Sequence, residues 1–356
     1  MSLQQDEIAE CFAEIFDKPP KIITFAPGRV NLLGEHIDMH GGHVLPMALP
    51  FGISLAAAPI NGANDKIASR QFEGVTEHSC GDGKTDHWSD YIAGALEVAR
   101  SQKWLQGAAA IYCNSAIPVG AGLSSSAATI IATLKAFAPD GFPATDLALL
   151  AQSVEHDFIG VPCGIMDQMA IAAPSPGEIL LLDCRSLSHE KLALPQNCDI
   201  AVVHSGQRRA LADGRYSERV REAKAAQKKL NIPFLTDLAK QDTLPELEDS
   251  TLTSRVRHIV SEEQRVMRAI EAIRTGDAKT FGALMHRGHR SMADDFEAST
   301  PEIDTLVTDA EHYGAYGARI TGAGFGGCIV ALLPEGEKQS WWQQLGKNHP
   351  SASLLY

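Results

Sequence analysis

Between residues 118 and 128 the chain reads PVGAGLSSSAA, its strongest local signal. Gly120 and Gly122 carry no Cβ, so the backbone there can take positive φ and let a ligand come close. Pro118 and Leu123 flank the glycines. Ser124, Ser125 and Ser126 then add three hydroxyls, and from Ala127 small and apolar residues predict a helix to about Phe137. The free N–H groups and positive dipole end of such a helix favour an anion. The same residues also read as a serine-capped helix after a glycine turn, and on this segment alone both readings stand. The loop lacks the Gly-Lys-Ser/Thr ending of a Walker A motif. It is not a dinucleotide fingerprint either, because three serines crowd the point where helix must pack on sheet. A second glycine-rich run, GAGFGG at 322–327, taken alone is a bulged turn between strands.

A chain of 356 residues exceeds one ordinary core and predicts two domains, 1–195 and 196–356. Helices are expected at 5–17 (stopped by Pro19 and Pro20), 88–104, 144–158, 215–230, 254–275 and near 278–290. The chain reads as extended from 21 to 33. Strands are expected from Val44, at 108–113 and within 178–203, and a hairpin around ARITGAGFGGCIVALLP. This mixture is α+β, with strand order left open. The charged helices 215–230 and 254–275 read as solvated faces.

The formal charge is −13, from 31 Lys and Arg against 44 Asp and Glu, which argues against a nucleic-acid partner. It still permits phosphate held by a local cradle of N–H groups. Seven scattered cysteines with no Cys-x-x-Cys predict neither a disulfide framework nor a structural zinc site. With no signal-like leader and no bilayer-length apolar run, the expectation is a soluble cytoplasmic protein without membrane partners. His36, His40 and His43 do not make a helical metal site, since Gly41 and Gly42 interrupt them.

Chemistry concentrates elsewhere. Glu35, His36 and Asp38 crowd a glycine-flanked turn that either faces a cleft or is a solvated acidic turn. The segment PGRVNLLGEHID (27–38) closely resembles the galactokinase signature of the GHMP kinase superfamily. PVGAGLSSSAA resembles that superfamily's ATP loop, CGIMDQM (163–169) and TGAGFGGC (321–328) its later motifs, and His289, Arg290, Ser291, Asp294 and Asp295 the galactokinase C-terminal domain. The motifs keep the family's order across nearly the whole chain. The resemblance implies a two-domain GHMP kinase fold, with an N-terminal ribosomal-protein-S5-like domain and a C-terminal ferredoxin-like domain. It also implies ATP-dependent phosphorylation of the anomeric hydroxyl of D-galactose by a monomer or weak homo-oligomer.

Residue roles follow from the same resemblance. Asp167 matches the catalytic aspartate that takes or orients the hydroxyl proton. Arg29 matches the active-site arginine, a fixed cation that offsets charge on the transferring phosphoryl group. Glu35, His36, Asp38, Gly164 and Tyr216 are implied sugar contacts. Pro118, Gly120, Gly122, Leu123, Ser124, Ser125, Ser126 and Ala127 are implied ATP contacts. Ser126 and Glu155 are implied Mg2+ ligands, although a lone glutamate is ordinarily exposed.

The chain departs from the family at Ile37 and Met39, where galactokinases read Thr and Tyr. Ile37 resembles the N-acetylgalactosamine kinase branch. QFEG (71–74), WSDYIAGAL (88–96) and LDCRSLSHE (182–190) are similar to plant galacturonokinase, which carries a neutral residue where Glu35 stands. A uronate beside Glu35 would set two like charges in a dry pocket. Galactose is therefore the expected substrate, with galacturonate, N-acetylgalactosamine and arabinose as alternatives. Non-catalytic sugar sensors of the family are altered in the serine loop; here Ser124 to Ala128, Arg29 and Asp167 are intact.

Overall fold

Ile8 and Phe12, one helical turn apart, close over a sheet face built from Ala56, Ala58, Ala68, Ala110 and Tyr112. The small residues leave room for the N-terminal helix to lie close. The computed structural model describes residues 2–207 and 214–356, with side chains from residue 6. Along the chain α1 (Ser2–Phe16) leads to β1 (Ile22–Asn31), the short β2 (His43–Val44), the long β3 (Pro46–Ile60), β4 (Asn64–Ser69) and β5 (Phe72–Ser79). Next come α2 (Asp90–Ser101), β6 (Ala108–Ser115), α3 (Ser125–Lys135), α4 (Ala144–Ser153), α5 (Met166–Ala172), β7 (Ile179–Asp183) and β8 (His189–Leu192). The remainder is β9 (Cys198–His204), α6 (Arg215–Leu230), α7 (Ser250–Thr275), α8 (Ala278–Asp294), α9 (Pro301–His312), β10 (Gly317–Ile320), β11 (Cys328–Pro334), α10 (Lys338–Asn348) and β12 (Ser353–Leu354).

Two units emerge, each discontinuous in sequence. The first joins the residues up to Arg29 with Ala48–Pro118 and Ser124–Pro176; the second joins Val30–Met47, Val119–Leu123 and Gly177–Tyr356. In the first unit β3 runs antiparallel to β6 (Leu55↔Cys113), and β4 runs parallel to β6 (Ile67↔Ile111). β5 closes antiparallel on β4 with a register shift after Ala68. α3 is tied to β1 by the Thr24 hydroxyl, which donates to the Ala132 carbonyl at 2.8 Å. The helix expected over 144–158 is not uniform: α4 ends at Ser153 and Val154–Ile159 widens into a π-helical turn. Such turns re-aim side chains, and this one carries Glu155. Gly94 of α2 lets the turn approach, since a Cβ there would stand 2.8 Å from Val154 and Phe158.

The second unit holds an antiparallel sheet in the order β10-β11-β9-β12. Helices α6 to α9 intervene between β9 and β10, and α10 between β11 and β12. This β-α-β-β-α-β course and strand order are the expected ferredoxin-like arrangement. Its core gathers Val203, Phe296, Ile303, Val307, Ile320, Ile329 and Trp341. The Trp341 indole donates to the Ala310 carbonyl at 2.9 Å, which satisfies its one polar atom. In the same unit β7 pairs antiparallel with β2 (Val44↔Leu182) and β8 (Ile179↔Leu192).

Candidate active site

β1 carries Arg29 near the end of a strand whose last six residues are buried, and α5 opens with Met166 and Asp167. Both belong to the first unit. Arg29 donates from Nε to Asp167 Oδ1 at 2.7 Å and from Nη2 to Oδ2 at 2.8 Å. Two parallel bonds set the plane of the carboxylate, which a lysine could not do. Ser124 donates its hydroxyl to the same Oδ2. The arginine is buried, whereas the Asp167 side chain keeps 31% exposure. The carboxylate is gripped on one side and accessible on the other. Gly164 is half-buried, two residues before α5.

Ser124 immediately precedes α3 in the left-handed conformation, φ 60° and ψ 45°, which is uncommon outside glycine. Its side chain makes no capping bond to the helix. The serine-cap reading is therefore not what the chain adopts. The hydroxyl serves Asp167 and accepts from none of the first-turn amides of Ser125, Ser126 and Ala127, a helix start suited to an anion. Ser125 is exposed, Ser126 half-buried and Ala127 buried.

Glu155 is 7% exposed, not the solvated helix residue its type suggests. The Gln168 amide and the Cys163 thiol (3.4 Å) both donate to its Oε2, and Ser126 also bonds to it. Burial first, and then the negative charge of Asp167, push its carboxyl above the ordinary range; the hydrogen bonds from Ser126, Cys163 and Gln168 pull the other way. A buried carboxylate that no ion pair among the described residues neutralises, beside a serine hydroxyl, is a pair of hard oxygen donors that a divalent ion would compensate. These residues fit Mg2+ bound mostly by phosphate and water. Among the described residues no group of three or more His, Cys, Asp or Glu is placed to hold a metal unaided.

The remaining predicted positions lie in the second unit, apart from Pro118, which ends a segment of the first. Val119–Leu123 is seated on the turn between β10 and β11. A Cβ on Gly322 (φ 80°) would stand 2.6 Å from the Gly122 carbonyl oxygen, and one on Gly327 2.7 Å from that of Ala121. The second glycine run is a turn between strands, as expected, and also the seat of the first. Leu123 is buried. Glu35 is 1% exposed, and its Oε1 accepts from the Gly322 amide at 2.7 Å. His36 is left-handed (φ 62°), its ring 4.5 Å from that of Phe296 and 5.7 Å from Tyr216. Asp38 starts a 3₁₀ turn and accepts from the Met39 amide at 2.9 Å. Tyr216, in the first turn of α6, directs its phenol at the Met39 thioether, 4.0 Å away. The three histidines diverge: His40 bonds to Gln227 and His43 to Glu263.

Sequence reasoning missed the residues behind this motif. α7 is not simply a solvated face, since Arg255, His258, Glu262 and Glu263 are all buried. Glu262 Oε1 accepts from the amides of Gly34 (2.9 Å) and Glu35 (3.3 Å) and from Arg319 Nη1 (2.7 Å). Charged residues on an amphipathic helix give no sign of burial; the missed signal was Arg319, a lone charge in an otherwise apolar strand that therefore needs a buried partner.

Three family models match the chain: the galactokinase galactose-binding signature at residues 10–59, the GHMP kinase N-terminal domain at 90–174 and the GHMP kinase C-terminal region at 269–351. A galactokinase from Roseiflexus sp. (strain RS-1) is 36% identical over 368 aligned residues, covering 99% of this chain and 93% of the relative. One from Clostridium perfringens (strain 13 / Type A) is 35% identical, covering 98% and 95%. The crystal structure of Lactococcus lactis galactokinase complexed with galactose matches at a TM-score of 0.90 and 31% identity, covering 99% of this chain and 97% of that one. Methanococcus jannaschii mevalonate kinase, at 21% identity, shares the fold with a TM-score of 0.71 over 94% of this chain and 96% of its own. With its own fold, its ordered motifs and full-length relatives all in agreement, this chain belongs to the galactokinase family of GHMP kinases.

Proposed function

We propose that this chain transfers the γ-phosphoryl group of ATP to the anomeric hydroxyl of D-galactose, giving ADP and α-D-galactose 1-phosphate. The observation that carries the proposal is the Arg29–Asp167 pair with Ser124 on the same carboxylate. An anomeric hydroxyl is a weak nucleophile. Asp167, held in one plane and accessible on its free side, accepts or orients the hydroxyl proton as the oxygen–phosphorus bond forms and the bond to ADP breaks. Arg29 keeps that carboxylate from turning away and supplies fixed positive charge near the transferring group.

Glu35, His36, Asp38, Gly164 and Tyr216 are assigned to the sugar's other groups. Pro118, Gly120, Gly122, Leu123, Ser124, Ser125, Ser126 and Ala127 are assigned to ATP. Ser126 and Glu155 would hold Mg2+, which neutralises phosphate charge when bound. The residue-195 boundary is part of this reading, supported by family matches at 90–174 and 269–351 on either side of it. So are a cytoplasmic location and a monomeric or weakly associating state. Galacturonate would bring a second carboxylate towards the buried Glu35, which favours galactose as the substrate.

Coupled ADP-release assays test the substrate across galactose, galacturonate, N-acetylgalactosamine and arabinose. Galactose should be turned over fastest. Faster galacturonate turnover would overturn the charge argument, and sugar binding without ADP release would indicate a sensor. Asp167→Asn should lower kcat by roughly 10²-fold or more while calorimetry shows ATP binding retained. Near-normal turnover would remove Asp167 as the proton acceptor.

A further inference from the structure

Residues 34–43 form a loop whose conformation its own sequence does not enforce. Gly34 has φ 100°, and His36 sits at φ 62° without being glycine. A non-glycine residue in that region persists when its surroundings over-determine it. Besides the Gly322 amide on the Glu35 side chain, the Thr236 hydroxyl on the His40 carbonyl and the Phe296 ring against His36, one face of α7 supplies the contacts to the loop's two ends. His258, neutral because burial lowers its pKa to about 4, meets the Glu35 carbonyl through Nε2 at 3.1 Å. A carbonyl only accepts, so Nε2 carries the proton. One turn on, Glu262 takes the Gly34 and Glu35 amides on a single oxygen, at 2.9 and 3.3 Å. Next to it, Glu263 accepts from the His43 amide at 2.8 Å and meets His43 Nδ1 at 2.7 Å. Both ends of the loop, and the carbonyl immediately before His36, are therefore held by one rigid helix.

The charge balance of Glu262 is equally specific. The residue is 0% exposed, with Arg319 Nη1 on Oε1 at 2.7 Å and Arg265 Nε on Oε2 at 2.7 Å. A buried ionic cluster is no better for stability than well-packed apolar side chains of the same volume. What apolar side chains cannot do is accept two successive backbone amides and fix the direction in which the chain enters His36.

We infer that α7 is a positioning element for the sugar motif, with Glu262 and Glu263 as positioning residues that hold residues 34–43 in their galactose-binding shape. This rests on the reading that Glu35, His36 and Asp38 contact the sugar. Glu262→Gln keeps the shape but sets an amide N–H₂ against either the two backbone amides or an arginine. Glu262→Asp keeps the charge and withdraws the oxygens by one methylene.

Titration calorimetry with D-galactose, and separately with a non-hydrolysable ATP analogue, tests the idea on the full chain. Both Glu262 variants should weaken galactose binding roughly tenfold or more, with ATP-analogue affinity changed less than about twofold and KM for galactose raised in step. Glu263→Gln should raise the galactose Kd in the same direction, by less. Equal losses for galactose and the ATP analogue would mean that α7 merely stabilises the fold, and would overturn the inference. Unchanged galactose affinity in the folded variants would do the same. If the Glu262 variants do not fold, Glu263→Gln, which leaves Glu262 and its arginines intact, decides: unchanged affinity there overturns the clamp. Failure of the unmutated chain to bind galactose would instead defeat the functional reading beneath it.

Discussion

Replacing Gly322 with alanine should destabilise the second unit strongly, and its cost can be divided into parts. Gly322 has φ 80°, a region where an L-residue pays about 1–2 kcal/mol. Its new Cβ would lie 2.6 Å from the Gly122 carbonyl oxygen, a backbone atom that cannot swing aside as a side chain would. Overpacking of this kind costs about 1–3 kcal/mol. Relief requires the turn to move, which stretches the 2.7 Å bond from the Gly322 amide to Glu35. Leaving that buried carboxylate oxygen short of a donor costs about 1–3 kcal/mol more. The total is about 2–6 kcal/mol, allowing for partial overlap of the last two terms. Gly336 supplies the control, with φ 80° and nothing within 4 Å of a built Cβ. Gly336→Ala should therefore show the backbone strain alone. Urea unfolding followed by tryptophan fluorescence, in which Trp341 reports from the same unit, compares the two variants. If Gly322→Ala is no more than about 1 kcal/mol worse than Gly336→Ala, the close seating of one glycine segment on the other is refuted.

Two further predictions concern titration and the cation. Burial, the leading cause for both, holds His40 and His258 at pKa about 4 against 6.5 in the unfolded chain. Between those values the unfolded state binds protons that the native state refuses, so stability is full above pH 6.5 and falls as pH drops towards 4, by on the order of 3 kcal/mol per histidine. Thermal melts from pH 7 to 4.5 check this: a flat profile contradicts it, and His40→Asn should flatten part of the slope. Glu155→Gln should weaken Mn2+ binding to the ATP complex roughly tenfold or more, read by electron paramagnetic resonance. The melting temperature without metal should hold or rise, because a carboxylate disfavoured by burial is removed; unchanged Mn2+ affinity would clear Glu155 of the ligand role.

Much of the fold was legible where local signals are strong. The helix expected at 215–230 is Arg215–Leu230, and the hairpin around the second glycine run is β10 and β11. α7 begins four residues earlier than expected, at Ser250, because Asp249 caps it by accepting from the amides of Thr251 and Leu252. That start was readable, as was the Thr300-Pro301 start of α9, whose threonine accepts from the Ile303 amide. β5 was not readable. Its residues are nearly all exposed, so no inward face imposes an alternating pattern. The π-helical turn at Val154–Ile159 was likewise invisible, since one extra residue in a turn changes burial without changing composition.

The same division holds for the site. Glycines without a Cβ, serines beside a helix start and acids on a glycine-flanked turn announce their chemistry through residue type, because the chemistry needs those atoms whatever surrounds them. Linear order could not reveal that Ser124 would turn its hydroxyl to Asp167 instead of capping α3, or that Arg29 would meet that acid 138 residues away with both arms of its guanidinium. Nor could it tell Glu262, wholly buried under two backbone amides, from any solvated glutamate on a charged helix. A side chain carries its reactivity with it. Its partners and its burial are set by which distant segments pack around it, and that is decided only when the chain has folded.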